Sequence, residues 1–169
     1  ATKAQESVAD FVAAVSTNNT IDAYYKTLAE AFAVAQNGTT ITLLQSIKLS
    51  EILVIDKAIV LDGNGCTLTS TAARAINVSG VDGVTIKNLT INASGERAIN
   101  VIQKATNITI DNVTATASNY TVNVASSAPN AIVTIKDSTL NGLCTVNVTA
   151  PGANVTITNT EINCNDNNA

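Results

Sequence analysis

After residue 38 the chain alternates between apolar and polar positions. Ile41, Leu43, Ile47, Leu49, Ile52, Val54, Ile59 and Leu61 are separated by polar residues or short breaks, and strand-and-turn character continues to Ile162. A period of two sends successive side chains to opposite faces of a strand. Residues 1–37 carry another pattern. Val8, Phe11, Val12 and Val15 recur at helical spacing, and Asn18, Asn19 and Thr20 interrupt them. A second segment, from about Ile21 to Gln36, places Tyr24, Leu28, Ala31, Phe32 and Ala35 on one stripe, with Asn37-Gly38 as its C-cap. The expected organisation is an N-terminal helical cap over 1–37 and a strand-rich body over 38–169, forming one structural domain.

The body repeats itself. Ala75-Ile76-Asn77-Val78 returns as Ala98-Ile99-Asn100-Val101, Thr121-Val122-Asn123-Val124 and Thr145-Val146-Asn147-Val148, at spacings of 23, 23 and 24 residues. Val84-Thr85-Ile86 returns as Ile108-Thr109-Ile110, Val133-Thr134-Ile135 and Val155-Thr156-Ile157, at spacings of 24, 25 and 22. A third short block follows each time: Leu89-Thr90-Ile91, Val113-Thr114-Ala115, Ser138-Thr139-Leu140 and Thr160-Glu161-Ile162. One repeat cannot bury its own apolar face, whereas stacking the next coil on it closes a core. The predicted fold is therefore all-β: a single-stranded right-handed parallel β-helix with three strands per coil and about five to six coils, topped by the helical cap. Ile76, Ile99, Val122 and Val146 form an inward column, as do Val78, Val101, Val124 and Val148. Asn77, Asn100, Asn123 and Asn147 form an outward one.

Two further columns set the register. Asn88, Asn112, Asp137 and Asn159 recur at one turn, where stacked amides can hydrogen-bond between coils. The position before them reads Asp62, Lys87, Asp111, Lys136, which places opposite charges on successive coils. Exposed pairs of this kind contribute about 0–1 kcal/mol each, so the column fixes register more than stability.

With the Asn88–Asn112–Asn159 ladder, the three blocks per repeat and the stretch from Tyr25 to Leu43 read as a capping helix running into a first strand, the chain resembles the secreted right-handed β-helix proteins of the pectin-lyase-like superfamily. Ile59-Val60-Leu61-Asp62-Gly63-Asn64-Gly65 is similar to that family's early glycine turn. The resemblance covers about residues 22–163. It implies the fold, and it raises polysaccharide cleavage as an activity to weigh. Family hydrolases use clustered Asp with a His, and this chain has no His. Family lyases use acidic calcium ligands and an Arg base at outward positions, and the Asn77–Asn147 column holds no acid. Hydrolysis of a glycoside calls for two carboxylates at a working separation; Asp62 and Asp111 have Lys87 between them and read as paired surface charges.

Composition narrows the chemistry further. The chain is 46% hydrophobic but only 13% charged and 3% aromatic, and it lacks Met and Trp. Its net charge of −4 argues against nucleic acid as a partner, and no apolar run is long enough to insert into a membrane. The lack of His removes the usual base near neutral pH and the commonest metal ligand. Three cysteines without a CxxC give neither a zinc site nor a disulfide framework; Cys66 reads as a small core residue, and a Cys144–Cys164 bridge is an option in an oxidising compartment. Neither a catalytic set, nor a metal site, nor a cofactor is expected. Arg74 and Arg97 align one coil apart and, with Tyr120, are the candidates for contact with an anion or glycan. Thr85, Thr109, Thr134 and Thr156 form an outward column, but Lys87, Asp111 and Lys136 two residues on break the hydroxyl array that ice binding would need. Asn119-Tyr120-Thr121 is a surface glycosylation triplet, whereas Asn88 and Asn112 fit the same triplet inside the ladder. A start at Ala1 without an initiator Met suits either a mature form whose signal peptide has been removed or a trimmed chain; the expected location is outside the cell or on its surface. The functional expectation is a secreted or cell-surface, non-catalytic β-solenoid module for adhesion, scaffolding or assembly. Its partner would be a second copy, head to tail through an uncapped C-terminal coil, or a surface glycan. The alternative is a polysaccharide-binding or polysaccharide-lyase-like β-helix.

Overall fold

The structure is a computed structural model that describes residues 6–165; residues 1–5 and 166–169, included in the expected cap and body, lie outside the described part. The body is a parallel β-solenoid of about five turns. Its first strands are β1 (Ala13–Thr17), β2 (Thr20–Tyr25), β3 (Thr40–Leu43), β4 (Ile47–Leu49), β5 (Leu53–Ile55), β6 (Val60–Asp62) and β7 (Thr67–Ser70). The middle coils contribute β8 (Arg74–Ser79), the long β9 (Asp82–Ala93), β10 (Arg97–Ile102) and the long β11 (Thr106–Thr116). They are followed by β12 (Tyr120–Val124), β13 (Ile132–Lys136) and β14 (Thr139–Gly142), then by β15 (Val146–Val148), β16 (Asn154–Thr158) and β17 (Glu161–Cys164). One sheet has the order β16-β13-β11-β9-β6-β3-β1-β2, with β7, β4, β14 and β17 branching from it, and the other has the order β15-β12-β10-β8-β5.

In the core, apolar residues stack on apolar residues. Ile41, Leu61, Ile86, Ile110 and Ile135 follow one another in register and are all fully buried. Ile76, Ile99 and Val122 do the same, and so do Val78, Val101 and Val124. Leu68, Ile91, Ala115 and Leu140 complete the interior. Full burial of such a side chain contributes about 1.5–3 kcal/mol, and stacked β-branched residues fit the pleat. Close approach between coils also dictates Gly95, where a Cβ would overlap the Ala72 carbonyl oxygen.

The N-terminal segment differs from the helical expectation. Residues Val8–Asp10 make one 3-10 turn, and 13–25 form an antiparallel hairpin rather than helix. The reason lies in Asn18 and Asn19. Both adopt positive φ, 49° and 61°, which is the backbone of a two-residue hairpin loop rather than a mere helix break. Ala13 and Val15 then pair with Leu43 and Ile41 of β3, and all four are buried. Burial on the end of the solenoid outweighs the local helical period. Among the described residues α-helix is confined to α1 (Leu28–Val34). Its start is set by a capping box in which Thr27 Oγ1 accepts from the Glu30 N–H at 3.2 Å and Glu30 accepts from the Thr27 N–H at 3.0 Å. It ends at Ala35, short of the expected Asn37-Gly38 cap, and Lys57 Nζ donates to the Phe32 and Ala35 carbonyls at 3.2 and 2.8 Å.

Candidate functional site

Three polar columns run along the solenoid. The turn ladder is present in two stretches, with no bond between Asn112 and Asp137: Asn112 Nδ2 donates to Asn88 Oδ1 at 2.9 Å, Asn88 Nδ2 to Asp62 Oδ1 at 3.1 Å, and Asn159 Nδ2 to Asp137 Oδ1 at 2.5 Å. Asn88, Asn112, Asp137 and Asn159 all have positive φ, between 42° and 53°. Asn and Asp tolerate this left-handed bend better than most residues, so conformation and hydrogen bonding select the same side chain.

A second ladder went unrecognised in the sequence. Asn100 Nδ2 donates to Asn77 Oδ1 at 2.9 Å, Asn123 Nδ2 to Asn100 Oδ1 at 2.7 Å, and Asn147 Nδ2 to Asn123 Oδ1 at 2.7 Å. This is the column expected to face outward, yet Asn100 and Asn123 are 2% and 3% exposed. Each middle amide is covered by the ones above and below it, and only the end members Asn77 and Asn147 are half-buried. The available signal was that this position stays Asn in all four repeats while the two positions before it change, from Ala to Thr and from Ile to Val. A shorter third ladder joins Asn163 Nδ2 to Asn141 Oδ1 at 3.0 Å.

The charged column is also in register, Asp62 beside Lys87, Lys87 beside Asp111, and Asp111 beside Lys136. It resolves into two pairs, Lys87–Asp62 at 3.6 Å and Lys136–Asp111 at 3.2 Å.

Arg74 and Arg97 do sit side by side, and Arg97 is in register with Tyr120. Each has partners within the molecule. Arg74 Nη2 lies 3.8 Å from Glu96 Oε2. The Arg97 guanidinium lies 5.7 Å from the Tyr120 ring centroid, and its Nη1 donates to Asn100 Oδ1 at 3.4 Å. Arg97 thus fastens the buried ladder from its side, while its Nε is buried without a partner.

All three cysteines are free. Cys66 packs partly buried against the core, and burial pushes its thiol above the ordinary value of 9.0. Cys144 and Cys164 are exposed, with Cys164 Sγ donating to the Leu143 carbonyl at 2.6 Å. No group of three or more His, Cys, Asp or Glu side chains is placed to hold a metal among the described residues. No helix among them is long and apolar enough to cross a membrane. Shallow grooves follow the turn ladder. One of about 420 Å³ is lined by Asn88, Asn112, Thr90 and Thr114, and another of about 610 Å³ by Asp137, Asn159, Thr139 and Glu161.

Compared with protein families, curated proteins and solved structures, the chain finds no match. The class defined by its fold is the β-solenoid with asparagine ladders; no match supports placing it in the pectin-lyase-like superfamily.

Proposed function

We propose that this chain is a secreted or cell-surface, non-catalytic solenoid module for adhesion or scaffolding. We read its coils as right-handed and three-sided, with the hairpin and α1 closing the N-terminal end. The observation carrying this reading is that the polar columns spend their hydrogen bonds and charges on one another. The Asn77–Asn147 ladder runs unbroken from coil to coil, and it is joined by the Asp62–Asn88–Asn112 and Asp137–Asn159 links and by the pairs Lys87–Asp62 and Lys136–Asp111, which builds a rigid rod rather than a reactive cluster. Function resides in sites grafted on a fold, and here Arg74 and Arg97, the residues best placed to act on an anionic substrate, are engaged internally.

The second reading is a polysaccharide binder. It is favoured by the grooves along the turn ladder, whose Asn and Thr side chains suit sugar hydroxyls. One experiment separates the two. Beads carrying the chain are tested for retention on cell surfaces and on polysaccharide-coated supports with calcium present, while new sugar ends are measured in solution. Retention on cells without release of sugar ends is expected. Polysaccharide cleavage that disappears in Arg74→Ala or Arg97→Ala would overturn the non-catalytic assignment.

A further inference from the structure

The apolar surface of the molecule is concentrated at its two ends. Eleven large hydrophobic side chains are exposed among the described residues. Six belong to the N-terminal end, Ile21, Tyr24 and Val34 among them; four belong to the last coil, including Val148, Ile157 and Ile162 at 44%, 38% and 45% exposure. Only Ile132 stands apart from both groups. In the coils below, the residues in register with Ile157 and Ile162, Ile135 and Leu140, are fully buried.

Backbone direction matches the same two ends. The larger sheet has β2 at one edge and β16 at the other. β1 is antiparallel to both β2 and β3, so β2 runs in the direction of β3, and hence of β6, β9, β11, β13 and β16. A copy translated along the axis therefore meets β16 with a parallel strand and needs no rotation. The register carries over too. Ala23, Val15, Ile41 and Leu61 begin the column that ends at Ile135 and Ile157, so Ala23 of the next copy falls on Ile157. The ladders point the same way. Asn147, Asn159 and Asn163 all donate back to the preceding coil, and no donor among the described residues reaches their Oδ1 atoms.

We propose that the face of the last coil is the docking site for the N-terminal hairpin of a second copy, so that chains stack head to tail with β2 of one extending the sheet along β16 of another. This rests on the scaffolding reading and names its partner. A three-sided coil of 23 residues, at about 3.3 Å per residue, encloses roughly 300 Å². That is well below the ~800 Å² per partner of a standard interface, so stacking is reversible and depends on concentration. The contact is heterologous and does not close, so it yields short rods rather than a fixed dimer.

Light scattering on the 169-residue chain at rising concentration tests this. The mass of the wild type is expected to climb past that of a dimer. Ile157→Lys and Ile21→Lys should each remain monomeric, and Ile162→Lys should repeat the first effect, with folding of all variants checked by circular dichroism. Ile132→Lys should stack like the wild type. Mixed in equal amounts, Ile157→Lys and Ile21→Lys retain one complementary end each and should form dimers that grow no further. A wild type that stays monomeric overturns the proposal, as does a dimer that survives both single substitutions. Cell retention by the monomeric Ile157→Lys chain is read separately: a wild type that never stacks but still adheres overturns stacking alone, whereas failure in both assays overturns the scaffolding reading as well.

Discussion

Replacing Asn100 by alanine removes the centre of the buried ladder. Two amide bonds vanish, the 2.9 Å bond to Asn77 and the 2.7 Å bond from Asn123, together with the 3.4 Å contact from Arg97. The consequences are unequal. Asn77 is half-buried and its carbonyl regains water, whereas Asn123 is 3% exposed and its amide is stranded. A stranded buried donor costs about 1–3 kcal/mol, and the Arg97 guanidinium also loses a neutral acceptor, so the expected destabilisation is about 3 kcal/mol. Asn112→Gly is the comparison. It removes one 2.9 Å bond in the exposed ladder while tolerating the 53° φ at that bend; the expected cost is about 1 kcal/mol, mostly from backbone entropy. Equilibrium urea unfolding followed by circular dichroism reads both. With a slope of about 2 kcal/mol per molar urea, Asn100→Ala should lower the midpoint by about 1.5 M and Asn112→Gly by about 0.5 M, both with the slope unchanged. Equal losses in the two variants would refute the idea that burial makes the hidden ladder the costlier one to break.

Other outcomes follow from the same geometry. Lys87→Glu sets a third carboxylate between Asp62 and Asp111, in register with both; it should destabilise by about 1 kcal/mol at low salt and progressively less as salt rises, seen as a converging pair of urea midpoints. Thiol titration of the native protein should show Cys144 and Cys164 reacting readily and Cys66 only slowly, with all three equal after unfolding, in keeping with their exposures. Because the folded state holds the Cys66 thiol above 9.0, the unfolded chain releases that proton first. Stability should therefore fall as pH rises through and beyond 9.0, and Cys66→Ala should lessen that fall.

The coil was legible in the order of residues. A block of fixed order returning every 22–25 residues leaves each repeat unable to bury Ile76 or Ile86 alone, and stacking is the physical remedy. Register was legible for the same reason: Asn88 over Asn112 and Lys87 over Asp111 recur at one position per coil, and a slip of a residue would turn the core outward. Tertiary structure alone decided the rest. Val8, Phe11, Val12 and Val15 satisfy a helical period, but the hairpin forms because Ala13 and Val15 find buried partners on β3, 26 and more residues away. The burial of Asn100 was likewise hidden, since alternation assigns that side chain to a face without saying what covers it. Neighbouring coils and Arg97 supply that cover, and they meet only when the solenoid closes.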